Sequence, residues 1–374
     1  MIAPSDVNSL PRAAAILQRG IADGTHIGAQ VFVSKNGQIV ADFAVGEARP
    51  GVPMTPATLT LWLSATKPIA AVAIAQLTER RGVGLDDPVA DYIPEFAAHG
   101  KETITLSHIL THTVGLRYVD AGWPAATWPE IIDRICQTRL EPNWRPGERA
   151  RYDATNNWFV LGEIIRRVDG RPFENYIRDE IFLPLGMNDS WIGMPPERYR
   201  DYGDRLGVLY KTDKSPIIPL PPYDTEQAIT HCRPAANGQG PMRELGMFYR
   251  MLLNGGELNG TRLLDTQTVK LFTVARRIGM YDETFRHKID WGLGFLICSR
   301  RYGYKALPYS FGPHASDRAF GHNGFQSSMA FADPEYGLVI AIAPNGTPGE
   351  PAHDKRLRQV LGAVYEDMLL SEPT

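Results

Sequence analysis

Strand-forming sequence is concentrated at the two ends of the chain, and the long stretch between them reads as helices and loops. Near the front, Gln30-Val31-Phe32-Val33-Ser34 and Gln38-Ile39-Val40-Ala41-Asp42-Phe43 flank Lys35-Asn36-Gly37. Asn-Gly between two β-prone runs predicts a hairpin, because both residues tolerate the positive φ of a tight turn. Near the back, Trp291–Cys298, Phe325–Asp333 and Leu338–Pro344 alternate or run apolar, and Asp333-Pro334-Glu335-Tyr336-Gly337 supplies the turn between the last two. Strands at both ends can share one sheet only if the chain leaves the sheet, builds something else, and returns to it.

The intervening and flanking segments carry helical periodicity. Ser9-Leu10-Pro11 predicts a helix start, with a cap and an early proline, running to about Asp23. Ser64 to Arg81 predicts a second helix, with Pro68 tolerated in its first turn and Gly82 as its stop. Residues 84–260 are rich in Pro, Gly and Trp, with helical patches clearest over Asn157–Val168 and Arg243–Leu253. At the end, Leu357, Val360, Leu361, Val364, Tyr365, Met368 and Leu369 fall on one helical face. The fold class predicted is α+β, an α/β sandwich. Its antiparallel sheet is formed from both chain ends, 1–80 and 261–374, and flanked by helices, with a mainly helical domain inserted over 81–260. A cleft between the two parts is the natural ligand site.

Bulk properties exclude several functions. The chain has 374 residues, about two domains' worth, and a net charge of −3, which gives no electrostatic case for nucleic acid or an anionic membrane. The start, Met1-Ile2-Ala3-Pro4-Ser5-Asp6, shows no basic region followed by an apolar stretch, and no run of about 18 apolar residues occurs. A cytoplasmic, unanchored protein is the expectation. Cys136, Cys232 and Cys298 are odd in number and far apart, fitting neither a disulfide framework nor a zinc site. His108 and His112 stand four apart with no third ligand spaced to help.

Ser64-Ala65-Thr66-Lys67 opens an Ala-rich helix that is otherwise uncharged through Leu77. A serine at a helix start has its hydroxyl near unpaired N–H groups, which favour developing negative charge. A lysine three positions on shares its face and can reach the hydroxyl. In a water-poor cleft its pKa falls far enough for it to accept a proton. The four-residue pattern taken alone is equally that of an ordinary helix start with a surface lysine.

Leu63-Ser64-Ala65-Thr66-Lys67-Pro68 resembles the first motif of the serine β-lactamase and penicillin-binding-protein superfamily, in particular its class C β-lactamase-like members. The resemblance continues in order through Leu85-Asp86-Asp87-Pro88-Val89, Tyr92-Ile93-Pro94 and the block from Ile104 to Leu116 containing Thr111-His112-Thr113-Val114-Gly115. Pro146-Gly147-Glu148 leads to Tyr152 at the second motif. Leu183-Pro184-Leu185-Gly186-Met187 and Leu252-Leu253-Asn254-Gly255-Gly256 follow, and Gly321-His322-Asn323-Gly324 stands at the third motif. The resemblance covers almost the whole chain.

That resemblance implies Ser64 as nucleophile, with Lys67 and Tyr152 as a proton-handling pair. A phenol is a poor base unless a cation steadies its anion, so the two are expected to share a proton. It implies an oxyanion hole from the backbone N–H groups of Ser64 and Phe325. Gly324 would let substrate lie against the strand, and His322 would orient substrate or steady the pair; a hydrogen-bonded structural histidine is the other reading. Tyr118, Trp123, Trp128 and Trp144 fall in segments that line the cleft in this family, suggesting a bulky or flat group, although packing within the helical domain explains each equally well. His108 and His112 become scaffold. The chemistry requires neither a metal nor an organic cofactor.

Two departures bear on substrate. The second motif reads Tyr152-Asp153-Ala154 rather than Tyr-x-Asn, with Asn156 and Asn157 out of register, and the third has His322 in place of the lysine that anchors a substrate carboxylate. Action on β-lactams or cell-wall peptides is therefore not expected. The pattern is similar to that of the family's esterases and its acyltransferases of secondary metabolism. The expectation is an acyl-enzyme on Ser64 formed from a small-molecule ester and released by water. The alternative is a transacylase passing the acyl group to an amine or alcohol; a non-catalytic ligand sensor is weaker, because Ser64, Lys67 and Tyr152 are all present.

Overall fold

A computed structural model describes residues 7–303, 305 and 310–368. The first helix, α1 (Pro11–Ala22), leads into the hairpin β1 (Gly28–Lys35) and β2 (Gln38–Arg49), followed by a short β3 (Val52–Pro53). Asn36 and Gly37 take φ of 48° and 78°, the left-handed pair that reverses the chain between these strands. Helix α2 (Lys67–Arg81) follows. Beyond it lie α3 (Trp128–Cys136), α4 (Asn156–Asp169) and α5 (Met242–Leu253), among shorter helices and two- and three-residue strands. The chain returns through β4 (Leu296–Ile297), β5 (Phe320–Asn323), β6 (Met329–Asp333) and β7 (Leu338–Pro344), and closes with α6 (Glu350–Asp367).

One seven-stranded sheet runs in the order β4-β5-β6-β7-β1-β2-β3, every neighbouring pair antiparallel. The first and last long strands meet at its centre, with Ala29 opposite Pro344 and Lys35 opposite Leu338. This is the architecture the sequence predicts, an antiparallel sheet from both ends with helices on both faces. Helices α1 and α6 pack together on one face, where Leu10, Ala13, Leu17, Leu357, Leu361 and Val364 join Val31, Val33 and Ile340 in one apolar cluster. Truncating Leu361 there, fully buried, would cost roughly 2–5 kcal/mol. Leu369, assigned to this face from the sequence, lies outside the described residues.

The other face carries the larger core, which joins Phe32, Ala330 and Val339 of the sheet to Ile69–Ala75 of α2 and to α4 and α5. Helix α2 is buried on all sides from Lys67 to Leu77, so it carries no amphipathic stripe. Helix α5 falls within 81–260 yet lies on β1, β6 and β7; a division at residue 260 separates it from the strands it covers.

Two strand predictions are shortened. Within Trp291–Cys298 only Leu296 and Ile297 join the sheet. Gly294, at φ 82°, turns the chain so that Trp291 bridges Leu296 and the Gly292 N–H bonds the Phe295 carbonyl. Within Phe325–Asp333 pairing begins at Met329, because residues 324–328 form the turn that precedes it. No helix of the described residues is long and apolar enough to cross a membrane.

Candidate active site

Ser64 lies in a short turn ahead of the α-helix rather than in the helix itself. Leu63–Thr66 is a short 3-10 helix, and the α-helix begins at Lys67. Leu63 takes a left-handed φ of 49°, an uncommon conformation for a leucine, immediately before the serine. The segment is fixed from outside. The Trp62 N–H donates to the Gly238 carbonyl at 2.8 Å, the Gly238 N–H donates to Thr66 Oγ1 at 3.0 Å, and Ser328 Oγ donates to the Trp62 carbonyl at 2.5 Å.

Lys67 is fully buried, and its Nζ lies 3.0 Å from Ser64 Oγ. The same nitrogen donates to the carbonyls of Ala154 at 2.8 Å and Ala235 at 3.2 Å. Burial pushes its pKa well below that of a free lysine; the Asp153 carboxylate opposes this, and the Arg233 guanidinium adds to it. A neutral amine has two N–H groups and one lone pair. The two carbonyls take both N–H groups and leave the lone pair directed at the serine hydroxyl. As an ammonium, the same group donates to Oγ instead.

Tyr152 lines the same site as Ser64, near enough for the serine hydroxyl to act on its phenol, with its ring centroid 5.1 Å from Lys67 Nζ. Burial drives the phenol pKa upward, and the nearby Ser64 hydroxyl only partly offsets this. With the amine pulled down and the phenol pushed up, the pair favours neutral lysine beside neutral tyrosine. A lysine–tyrosinate ion pair is the disfavoured arrangement.

The altered second motif has a simple structural consequence. Asp153 Oδ1 accepts the Thr155 N–H at 2.8 Å and the Asn157 N–H at 3.3 Å, holding the start of α4. Asn156 donates to the Val119 carbonyl. The lysine contact that the motif's amide was expected to make is filled by the backbone of Ala154 instead. Backbone acceptors such as Ala154 and Ala235 have no residue-type signature, so sequence reasoning could not find them.

His322, at the end of β5, is buried and has Nδ1 2.8 Å from the Asn323 carbonyl. An imidazole nitrogen facing a carbonyl must carry the proton, so Nε2 keeps its lone pair. That Nε2 has no partner among the described residues, and the ring lines the cavity beside Tyr152, 6.0 Å between centroids. Burial and the nearby Lys67 lower its pKa to about 3, so it is neutral at ordinary pH.

The turn after β5 is closed by the Gly324 N–H on the Ser328 carbonyl at 2.7 Å and the Ser327 N–H on the Gly324 carbonyl at 3.3 Å. Phe325 caps it, 50 % exposed, with its N–H outside these bonds. Close packing leaves no room for a side chain at Gly324. A Cβ there would lie 2.5 Å from the Trp62 carbonyl oxygen and 2.3 Å from Ser328 Oγ. The strand end is thereby pressed onto the backbone that carries the nucleophile.

Ser64, Tyr152, His322 and Phe325 open onto one cavity of about 520 Å³, whose wall includes Phe285, Ile289, Trp291 and Leu296. Ile289 and Trp291 lie in or beside a segment read only as a strand, so nothing in the sequence signals this role. No lysine or arginine lines the cavity among the described residues, and Glu350 stands at its edge.

Of the aromatic residues proposed from the sequence to line the cleft, none is among the residues that line this cavity. Trp128 donates its N–H to Glu163 at 2.8 Å and packs edge-on against Phe159. Trp123 donates to the His231 carbonyl at 3.0 Å and stacks with the Arg233 guanidinium. Trp144 donates to the Thr113 carbonyl beneath Arg149, and Tyr118 is 82 % exposed. Each indole has satisfied its one donor on helical-layer groups, which fixes the ring there. His108 and His112 also part: His108 Nδ1 accepts the Thr105 N–H as a helix cap, while His112 is buried beside Tyr152.

Comparison with known proteins places this geometry in a family. The chain is 27 % identical over 347 residues to the esterase/β-lactamase LipL of Mycobacterium tuberculosis, covering 85 % of this chain and 77 % of LipL. A family VIII carboxylesterase structure superposes with a TM-score of 0.81 at 26 % identity, covering 98 % of this chain and 99 % of the other. A penicillin-binding-protein homologue from Caulobacter crescentus superposes with a TM-score of 0.78 at 29 % identity, covering 97 % and 99 %. The Beta-lactamase family model matches residues 13–365, nearly the whole chain, and the chain belongs to that family.

Proposed function

We propose that this protein is a serine hydrolase of small, neutral carboxylic esters that works through an acyl-enzyme on Ser64. The observation that carries the reading is the Lys67 amine, buried, with its two N–H directions occupied by carbonyls and its third direction aimed at Ser64 Oγ. As Oγ attacks the ester carbon, Lys67 takes the hydroxyl proton. The Tyr152 phenol gives its proton to the departing alkoxide and regains one from Lys67. The N–H groups of Ser64 and Phe325 hold the oxyanion. Water then attacks the acyl-enzyme, with His322 Nε2 available to accept a hydrogen bond from it, and the same groups run in reverse.

The cavity supports a neutral, apolar acyl group. Its wall offers Phe285, Ile289, Trp291 and Leu296 but no cation to meet a carboxylate, and Glu350 would repel one. Resemblance to LipL and to a family VIII carboxylesterase supports hydrolysis. Transfer of the acyl group to an amine or alcohol would use the same intermediate.

Neutral aryl esters compared with a chromogenic cephalosporin test this reading. Ester hydrolysis is expected to exceed cephalosporin hydrolysis by orders of magnitude in kcat/KM, and comparable rates would overturn it. Adding an amine or alcohol and analysing products separates hydrolysis from transfer: free acid is expected, and a predominant amide or ester would favour the transacylase.

A further inference from the structure

His112 has no place in the proton transfers above, yet it is completely buried against them. Its ring lies 4.7 Å from that of Tyr152 and 4.6 Å from that of Trp291. It ends the turn after a short helix, Leu106–Leu110, with a left-handed φ of 58°. A non-glycine residue in that region costs free energy and persists where surrounding contacts demand it. The contacts here converge on one target.

The His112 carbonyl accepts the Arg151 N–H at 2.9 Å, and its Nδ1 accepts the Asp153 N–H at 3.1 Å. One residue therefore holds the backbone N–H groups of both neighbours of Tyr152. The Tyr152 N–H donates to Asp282 Oδ1 at 3.1 Å, and its carbonyl accepts from Thr284 Oγ1 at 2.9 Å. Asp282 is in turn paired with buried Arg277 at 3.0 Å, and Arg277 donates to the carbonyl of Thr111, the neighbour of His112, at 3.0 Å. The Thr111-His112 turn thus reaches Tyr152 both directly and through the Arg277–Asp282 pair.

Because Nδ1 accepts a backbone N–H, the imidazole must be neutral with its proton on Nε2. Burial, with Arg277, Lys67 and His322 nearby, pulls its pKa far below the ordinary value. Nε2 has no protein partner among the described residues.

We propose that His112 is a positioning residue for Tyr152, fixing the phenol at Ser64 through the Nδ1 acceptor and the left-handed turn that aims it. The proposal rests on Tyr152 being the group that protonates the leaving alkoxide. His112→Asn and His112→Leu separate acceptor from bulk. Asparagine tolerates left-handed φ and can place Oδ1 where Nδ1 stands, whereas leucine fills space without an acceptor. With both variants folded by circular dichroism, H112L is expected to lose about a hundredfold in acylation kcat at little changed KM, and H112N to retain most of the wild-type rate.

H112L acylating at the wild-type rate would overturn the proposal. So would a folded H112N that loses as much as H112L, since the ring rather than the acceptor would then matter. If H112L does not fold, H112N decides alone: retention of most of the wild-type rate supports the proposal, and a loss of about a hundredfold overturns it. Tyr152→Phe is measured alongside: a wild-type rate in Y152F refutes the Tyr152 reading itself, whereas a loss in Y152F with no loss in H112L refutes only the positioning. In the Y152F background, H112L should add little, because both act through one phenol.

Discussion

Lys67 Nζ and Ser64 Oγ stand 3.0 Å apart, with the other two polar directions of the nitrogen closed by the carbonyls of Ala154 and Ala235. A buried lysine is usually accompanied by a carboxylate that keeps it charged. Here the nearest acceptors are two carbonyls and a hydroxyl, which suit an amine as well as an ammonium.

Removing the amine or the phenol should therefore act on acylation. Lys67→Ala and Tyr152→Phe are each expected to lower the pre-steady-state acylation rate by roughly 10²–10⁴-fold. A rate near wild type in either variant would remove that residue from the mechanism.

The pH profile carries a signed pair of predictions. Lys67 must be unprotonated to accept the serine proton, so kcat/KM rises with pH as the lysine deprotonates and then levels. Asp153 raises the Lys67 pKa and Arg233 lowers it. Asp153→Asn, which can keep the acceptor for Thr155 and Asn157, should move the rising limb to lower pH. Arg233→Gln should move it to higher pH. His322 titrates near 3, so His322→Gln should leave that limb in place. Limbs moving together in the first two variants would contradict the account.

Gly324 provides a steric test. In Gly324→Ala the new methyl meets the Trp62 carbonyl and Ser328 Oγ. Overpacking of this kind costs about 1–3 kcal/mol, and relief by pushing the turn outward would carry Phe325 away from Ser64. A drop in kcat larger than any rise in KM, together with a lower melting temperature, is expected. Wild-type values of both would show that the contact relaxes freely.

What the sequence shows and what it hides follow from the physics of each residue. Asn36-Gly37 and Leu338–Pro344 are legible because a turn type and an apolar run are local properties. Ser64, Lys67, Tyr152 and His322 are found because their side chains sit in ordered motifs. Trp128 misleads: an indole reads the same whether its N–H meets Glu163 or a ligand, and only packing decides. Ala154 and Ala235 are hidden because a carbonyl is common to every residue. His112, read as scaffold, shows its tie to Tyr152 only when the Asp153 N–H is seen on its Nδ1.

The cavity wall predicts a side-chain effect on substrate choice. Trp291→Ala enlarges the pocket beside Tyr152 and should raise KM for bulky apolar acyl esters more than for acetyl esters. Equal effects on both would mean that the acyl group lies elsewhere.

The central claim is that Ser64 carries the acyl group. Wild-type protein and Ser64→Ala, each mixed briefly with an activated neutral ester and quenched in acid, can be read by intact and peptide mass spectrometry. One acyl mass should appear on the Ser64-containing peptide of the wild type and on no peptide of the variant. An equivalent adduct on another residue, or on Ser64→Ala, would contradict the account.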